Sequence, residues 1–230
     1  MLPKVQIIIL NWNSWPDTVS CLESVEKLTY PSYEVTLVDN GSVDNSVTRL
    51  CEWVRGRPEK WGEVRDLQQA PSLHRTIFGG SEIILKTNKL TLIRLAENLG
   101  FTGACNFASE LTLADPAVAY LYFLNNDARL SPKALEEIVY VAQDMHADLV
   151  GSTIWESQNS GPTFAGSNIF IELFWPTPAR ALFVLKARRA DRVVIASMVP
   201  GSAMLISRQL VELRHVELGY LFRPIFLPLC

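Results

Sequence analysis

The sequence is sparing with the residues that usually build metal and redox sites. Its 230 residues include three histidines and four cysteines. Cys21, Cys51, Cys105 and Cys230 form no C-x-x-C pair, and no histidine stands at metal-ligand spacing from them. That spacing predicts reduced, structural thiols in a cytoplasmic protein. A basic excess is also lacking. The formal charge of −3 argues against a general nucleic-acid binder with its cationic face. A local cationic pocket for phosphates remains compatible with it. No run of about 18 apolar residues occurs, so no transmembrane helix is expected and any membrane contact would be peripheral. Met1-Leu2-Pro3-Lys4 leads directly into an apolar strand pattern, without the charged start, apolar stretch and cleavage site of a signal peptide. Repeats and low-complexity tracts are missing too.

What is present is an ordinary globular composition, 48% apolar and 20% charged, which excludes disorder and collagen-like repeats. The length suits one large core. Val5 to Leu10 is a short, β-branched apolar run and predicts a buried strand. Ser14 or Asp17 can cap a helix reaching Leu28. Glu34 to Val38 predicts a second strand, closed by Asp39-Asn40-Gly41-Ser42, and Asp44 can cap a helix to Val54. Arg55 to Asn88 reads as an excursion outside the core, broken by Pro58, Pro71 and Gly79-Gly80. Leu90 to Leu95 and Ala119 to Leu124 predict the third and fourth strands, with a helix from Gly103 to Leu113 capped by Thr102 between them. Ser131-Pro132 predicts a helix start, and that helix reaches His146. Asp148 to Ile154 predicts a fifth strand.

Strands alternating with helices imply crossover units and a largely parallel sheet. Beyond Gly161 the pattern changes. Thr163 to Phe174 and Val193 to Val199 read as strands with no helix between them. Ser202 to Ile206 is a further apolar run, and Ser207 can cap a helix to Leu213. This half is expected to be mixed, with antiparallel pairing.

In an open parallel sheet, ligands bind beyond the carboxyl ends of the strands. The unusual polar residues are predicted there. Asn11 and Asn13 follow the first strand, and Asp39 and Asn40 the second. Asn98, Gly100 and Gly103 follow the third, and Asn125, Asn126 and Asp127 the fourth. Each alone reads as a turn residue; four strands in succession read as a ligand rim. A carboxylate at Asp127 can hold Mg²⁺ or Mn²⁺, which favour oxygen ligands and commonly take one or two carboxylates plus substrate phosphate. Such an ion would neutralise a diphosphate leaving group. Gly100 and Gly103 precede a helix, where backbone N–H groups favour anions. The loop is neither the G-x-G-x-x-G fingerprint of NAD-type domains nor a Walker loop.

The segments Val5-Gln6-Ile7-Ile8-Ile9-Leu10-Asn11-Trp12-Asn13, Leu37-Val38-Asp39-Asn40-Gly41-Ser42, Asn98-Leu99-Gly100-Phe101-Thr102-Gly103, Leu124-Asn125-Asn126-Asp127 and Val199-Pro200-Gly201-Ser202-Ala203-Met204-Leu205-Ile206 occur in that order. With them the chain resembles the family 2 glycosyltransferases of the GT-A fold, in particular their rhamnosyltransferase-like branch. The resemblance implies a single GT-A-like domain over 1–230, with a nucleotide-sugar-binding half at 1–155 and an acceptor-side half at 156–230. It implies a nucleotide-diphosphate sugar donor, a rhamnose donor included, and transfer with inversion to a glycan, lipid-linked or protein acceptor. Asn11, Asn13, Asp39, Asn98, Gly100, Gly103, Asn125 and Asn126 would bind the nucleotide, with Asp39 on the base. Gly201, Ser202 and Ala203 would lie on the acceptor side. Asn125-Asn126-Asp127 stands where the family has D-x-D, so Asp127 would carry the metal.

The chain departs from that pattern near its end. The family places an acidic pair, the source of its general base, some distance beyond the segment matching Gly201-Ser202-Ala203. Here Glu212 and Glu217 are the nearby carboxylates, and both read as a solvated helix face. The expectation is a truncated acceptor-side half, and the alternative is a nucleotide-sugar-binding module without turnover. Lys186, Arg188, Arg189 and Arg192 read as a solvated basic run. The histidines read as surface or packing residues, and Trp12, Trp15, Phe174 and Trp175 as packing aromatics.

Overall fold

The apolar runs become the inner strands of one sheet. The computed structural model describes residues 2–64, 80–155, 162–164 and 201–218. In chain order the elements are β1 (Lys4–Asn11), α1 (Trp15–Val25), β2 (Tyr33–Asp39), α2 (Ser46–Arg55), α3 (Pro58–Trp61), β3 (Ser81–Lys86), β4 (Leu90–Leu95), α4 (Gly100–Leu113), β5 (Val118–Asn125), α5 (Ala134–Asp144), β6 (Leu149–Gly151), β7 (Ile154–Trp155), β8 (Pro162–Phe164), β9 (Ala203–Ser207) and α6 (Arg208–Leu218). Seven strands pair in the order β3-β4-β2-β1-β5-β9-β6. β1, β2, β4 and β5 run parallel, while β3 is antiparallel to β4 and β9 is antiparallel to β5 and β6.

Strand alternation sends side chains to two apolar layers. Ile7, Ile9, Leu37, Leu92 and Leu124 pack with Leu22 and Val25 of α1, Leu50 and Val54 of α2, and Leu135 and Val139 of α5. Ile8, Val38, Ile93 and Phe123 pack on the opposite face with Ala104, Phe107 and Ala108 of α4 and Val211 of α6. Helices thus cover both faces. A sheet buried on both sides needs the continuous apolar strands that the sequence contains.

Chain order moves outward from β1 to β2 and β4, then returns through α4 to β5 on the other side of β1. The reversal falls between β1 and β5. A crevice opens there at the carboxyl ends, because successive connections leave in opposite directions.

Several local expectations are corrected. The excursion after Arg55 is not wholly outside the core: Trp61 and Leu85 are buried, and β3 adds an edge strand. Thr87 makes the tight turn between β3 and β4, its hydroxyl accepting from the backbone N–H of Lys89 and Leu90. α4 starts at Gly100, so Thr102 lies inside it instead of capping it. Ser131 makes no side-chain cap, and α5 begins at Ala134. That helix ends at Asp144, and the positive φ of 49° at His146 just beyond it lets Ala147 N–H reach the Ala142 carbonyl at 2.9 Å, a Schellman closure. Ser207 does cap α6, accepting from Leu210 N–H at 3.1 Å. The predicted fifth strand is shorter than expected, because Ile154 turns away to pair with Phe164 in a separate two-stranded ribbon. The strand readings within 165–200, the basic run Lys186 to Arg192, Phe174, Trp175, His74 and Cys230 lie outside the described residues.

Gly41 shows how the loops are held at the rim. Its φ is +73°, and a Cβ there would stand 2.5 Å from the carbonyl carbon of Glu97. The loops after β2 and β4 therefore touch backbone to backbone. Gly41→Ala is expected to lower stability by at least the ~1–3 kcal/mol of a forced left-handed residue, because backbone must also move. The urea unfolding midpoint measures it, and a midpoint equal to the parent would contradict the close approach.

Burial also fixes an alkaline limit. Burial pushes the thiols of Cys21 and Cys105 from an ordinary 9.0 up to about 12. Above pH 9 the unfolded chain releases these protons while the folded one keeps them. Stability is then full below pH 9 and falls as pH rises toward 12, by about 1.4 kcal/mol per pH unit for each thiol. Urea midpoints between pH 8 and 11 check this, with Cys105→Ala expected to soften the fall.

Candidate functional site

The strand register levels the rim residues with one another. Asn11 at the end of β1 stands opposite Asp39 at the end of β2, and Leu10 stands opposite Asn125 at the end of β5. Their side chains join in one hydrogen-bonded network. The Asn11 Nδ2 group donates to Asp39 Oδ2 at 2.8 Å and to Ser42 Oγ at 3.2 Å. Ser42 N–H donates to Asp39 Oδ1 at 2.9 Å. Asn11 Oδ1 accepts from the Thr18 hydroxyl at 2.8 Å, and that hydroxyl accepts from Asn126 Nδ2 at 3.1 Å. A line of three side-chain hydrogen bonds therefore runs from Asp39 through Asn11 and Thr18 to Asn126.

Asp39 is 0% exposed and both its oxygens accept hydrogen bonds. It ties β1 to the turn after β2. A carboxylate offers about four acceptor positions, so capacity remains for a ligand donor that reaches it. Asn13 sits beside it with a left-handed φ of 50°. Its N–H donates to Ser42 Oγ at 2.9 Å, and its Oδ1 accepts from Val43 N–H at 2.9 Å. Trp12, read first as a packing residue, is 56% exposed at this rim. Trp15 is partly buried against the core, with the Arg49 guanidinium 5.9 Å from its ring centre.

A second cluster links the ends of β2 and β4. Asn40 Nδ2 donates to Asn98 Oδ1 at 3.0 Å, and Asn40 Oδ1 accepts from Leu99 N–H at 2.9 Å. Asn98 Oδ1 accepts from Gly100 N–H at 2.7 Å. These side chains already satisfy the N–H groups of Leu99 and Gly100, so those two donors are not free for an anion. Gly103 lies within the first turn of α4. Asn40 was legible as a turn residue of the predicted rim; its double bridge needed the fold.

Between β1 and β5, at the topological reversal, lies a cavity of about 150 Å³. Leu10, Phe101, Cys105, Phe123, Asn125 and Asn126 contribute to its walls. Asp127 follows in the turn closed by Ala128 N–H on the Asn125 carbonyl at 3.1 Å. Its carboxylate is exposed and takes no hydrogen bond from a described residue. α5 starts seven residues later, so Asp127 is not its cap. Among the described residues no group of three His, Cys, Asp or Glu side chains gathers to hold a metal. Asp127 with the neighbouring asparagines offers hard oxygen ligands, but too few to hold an ion alone. That donor set fits a cation that arrives with substrate phosphates.

β9 brings Gly201, Ser202 and Ala203, expected on the acceptor side, to the same rim. Ala203 stands opposite Leu124, and Asn125 N–H donates to the Ser202 carbonyl at 2.9 Å. Gly201 is exposed beside them. Glu212 lies elsewhere. β9 runs back to Ser207 opposite Tyr120, so α6 begins near the amino end of β5, away from the rim. Glu212 there pairs with Arg208 at 2.6 Å, and Arg208 also donates to the carbonyls of Leu113 and Asp115.

A doubly covered, mostly parallel α/β sheet with a polar rim at its strand reversal has the architecture of the GT-A fold. The chain belongs to glycosyl transferase family 2, whose sequence profile matches residues 6–68 and 80–212. The mannosyltransferase PcManGT from Pyrobaculum calidifontis, solved with GDP-Man and Mn²⁺, superimposes with a TM-score of 0.58 at 16% identity. The match covers 92% of this chain and 46% of that one, so this chain spans about half the length of that protein. TarS 1–349 of S. aureus is similar at 16% identity, over 87% of this chain and 59% of its own, with a TM-score of 0.45. No curated protein matches the sequence. Among the described residues no helix is long and apolar enough to cross a membrane.

Proposed function

We propose that this chain binds a nucleoside-diphosphate sugar at the rim and takes part in transfer of the sugar to an acceptor. The observation that carries this is the hydrogen-bonded line from Asp39 to Asn126, which sets the buried carboxylate and the exposed Asp127 on one edge of the sheet. Asp39, with Asn11 and Asn13, forms the base end. Asn125, Asn126 and Asp127 form the phosphate end, and Asp127 is the residue that would hold Mg²⁺ or Mn²⁺. When bound, such an ion offsets the charge of a departing diphosphate. Gly201, Ser202 and Ala203 border the side from which an acceptor glycan, lipid-linked sugar or protein approaches. A fold neighbour that holds GDP-Man with Mn²⁺ supports the reading. Inversion and a rhamnose donor belong to the same proposal and rest on the family likeness.

The position of Glu212, paired with Arg208 away from the rim, favours a second reading. In it the chain binds the donor and leaves turnover to a base that Glu212 does not supply.

Calorimetric titration with UDP, GDP and dTDP, each with and without MnCl₂, tests the binding. At least one nucleoside diphosphate is expected to bind about tenfold or more tightly with the ion, a difference of about 1.4 kcal/mol. Failure of all three to bind with Mn²⁺ would sink the proposal. Release of the sugar from the matching donor, with or without an acceptor panel, then separates transferase from binding module.

A further inference from the structure

We infer that Thr18 is a positioning residue whose hydroxyl couples the base end of the rim to the phosphate end; this rests on the nucleotide-binding reading above. Thr18 sits one turn into α1, on the face that carries Cys21, Leu22 and Val25 into the core. It is 0% exposed. Shape and burial alone would accept valine at this place. The hydroxyl is explained by its neighbours instead. It donates to Asn11 Oδ1 at 2.8 Å and lies 3.1 Å from the Ser14 carbonyl, and it accepts from Asn126 Nδ2 at 3.1 Å.

Thr18 is thus the junction of the line. On one side Asn11 passes its amide hydrogens to Asp39 and Ser42. On the other, Asn126 is held at 3.1 Å in the residue directly before Asp127. The turn at Asn125 to Ala128 is closed by one backbone hydrogen bond, and Asp127 has no side-chain partner of its own among the described residues. The Asn126 side chain is thus a polar tie from that exposed turn to the core, beside the Cys21 thiol on the Asn125 carbonyl and Ala128 packed on the core, and Thr18 is where it is tied. A hydroxyl both donates and accepts, so no single apolar replacement can serve both sides.

The test uses the whole chain and reads how much Mn²⁺ tightens nucleoside-diphosphate binding. UDP, GDP and dTDP are titrated with and without MnCl₂, at a temperature where circular dichroism shows every variant folded. In Thr18→Val the tightening by Mn²⁺ is expected to shrink by about tenfold, as for an interior polar group that loses its partner. The ion-free affinity should change by less. Thr18→Ser keeps the hydroxyl and is expected to restore the tightening to within about threefold. Asn126→Ala should reproduce the Thr18→Val loss, and the double variant should be no worse than either, because both cut one link. Thr18→Ala, which also lacks the hydroxyl and adds no bulk, carries the test should Thr18→Val not fold. A purely structural Thr18 would lower the unfolding midpoint and leave the tightening intact. That result, with the parent still binding, overturns the inference and spares the nucleotide reading. A parent that binds none of the three nucleotides overturns both.

Discussion

Asp127→Ala is expected to remove the tightening of nucleoside-diphosphate binding by Mn²⁺ while leaving the unfolding midpoint where it was. The carboxylate is exposed and accepts no hydrogen bond from a described residue, so its loss strands no buried group. Surface changes of this kind stay within about ±0.5 kcal/mol of stability. For the ion the change is severe. Three-ligand clusters of His, Cys, Asp or Glu are absent among the described residues, so at most one further described side chain of these types could share the ion with Asp127. Substitutions one layer outside a metal's ligands already cost about 10–100-fold in affinity; loss of the ligand itself should reach or exceed that range. Titration with and without MnCl₂ measures it. Unchanged tightening in Asp127→Ala would mean that the ion, if it binds, is held elsewhere.

Asp39→Ala is expected to damage both stability and nucleotide binding. Its two oxygens take hydrogen bonds from Asn11 Nδ2 and Ser42 N–H in a fully buried place. Removing the carboxylate strands both donors, at about 1–3 kcal/mol for each. For a chain of this size each kcal/mol lowers Tm by about 2–4 °C. Asp39→Asn is not a gentle substitute. One side of its amide is a donor, so an N–H group would face either Asn11 Nδ2 or Ser42 N–H, which are donors themselves. Both variants should unfold at lower urea, and nucleotide affinity should fall with them because the base end loses its frame. A urea midpoint equal to the parent would show that the buried contacts are not made. The two aspartates are thus separated by burial: one change reads as function alone, the other as fold and function together.

Much of this was open to a reader of the sequence, for a physical reason. Val5 to Ile9 and Leu121 to Leu124 are buried on both faces, and a strand so placed needs a near-continuous apolar run. Such a run followed by Asn or Asp marks both the strand and the rim beyond it. Edge and terminal features were harder to read. β3 shows only Ile83, Ile84 and Leu85 between polar residues, because an edge strand buries less. The Ser131 cap failed because Pro132 binds outward, its carbonyl accepting from Thr29 N–H at 2.9 Å, and the helix waits until Ala134. Thr18 left no mark at all, since a lone threonine in a helix gives no sign that its hydroxyl serves two distant loops.

By itself the sequence determined the alternating strands and helices, the family, and the list of polar residues that strand ends deliver to one rim. These follow from local patterns, since solvent and apolar contact act on each short segment separately. Only the tertiary structure decided which residues meet. It buried Asp39, left Asp127 open, joined them through Asn11, Thr18 and Asn126, and carried Glu212 away from the rim. Those outcomes depend on strand order and direction, which arise from contacts between segments far apart in the chain.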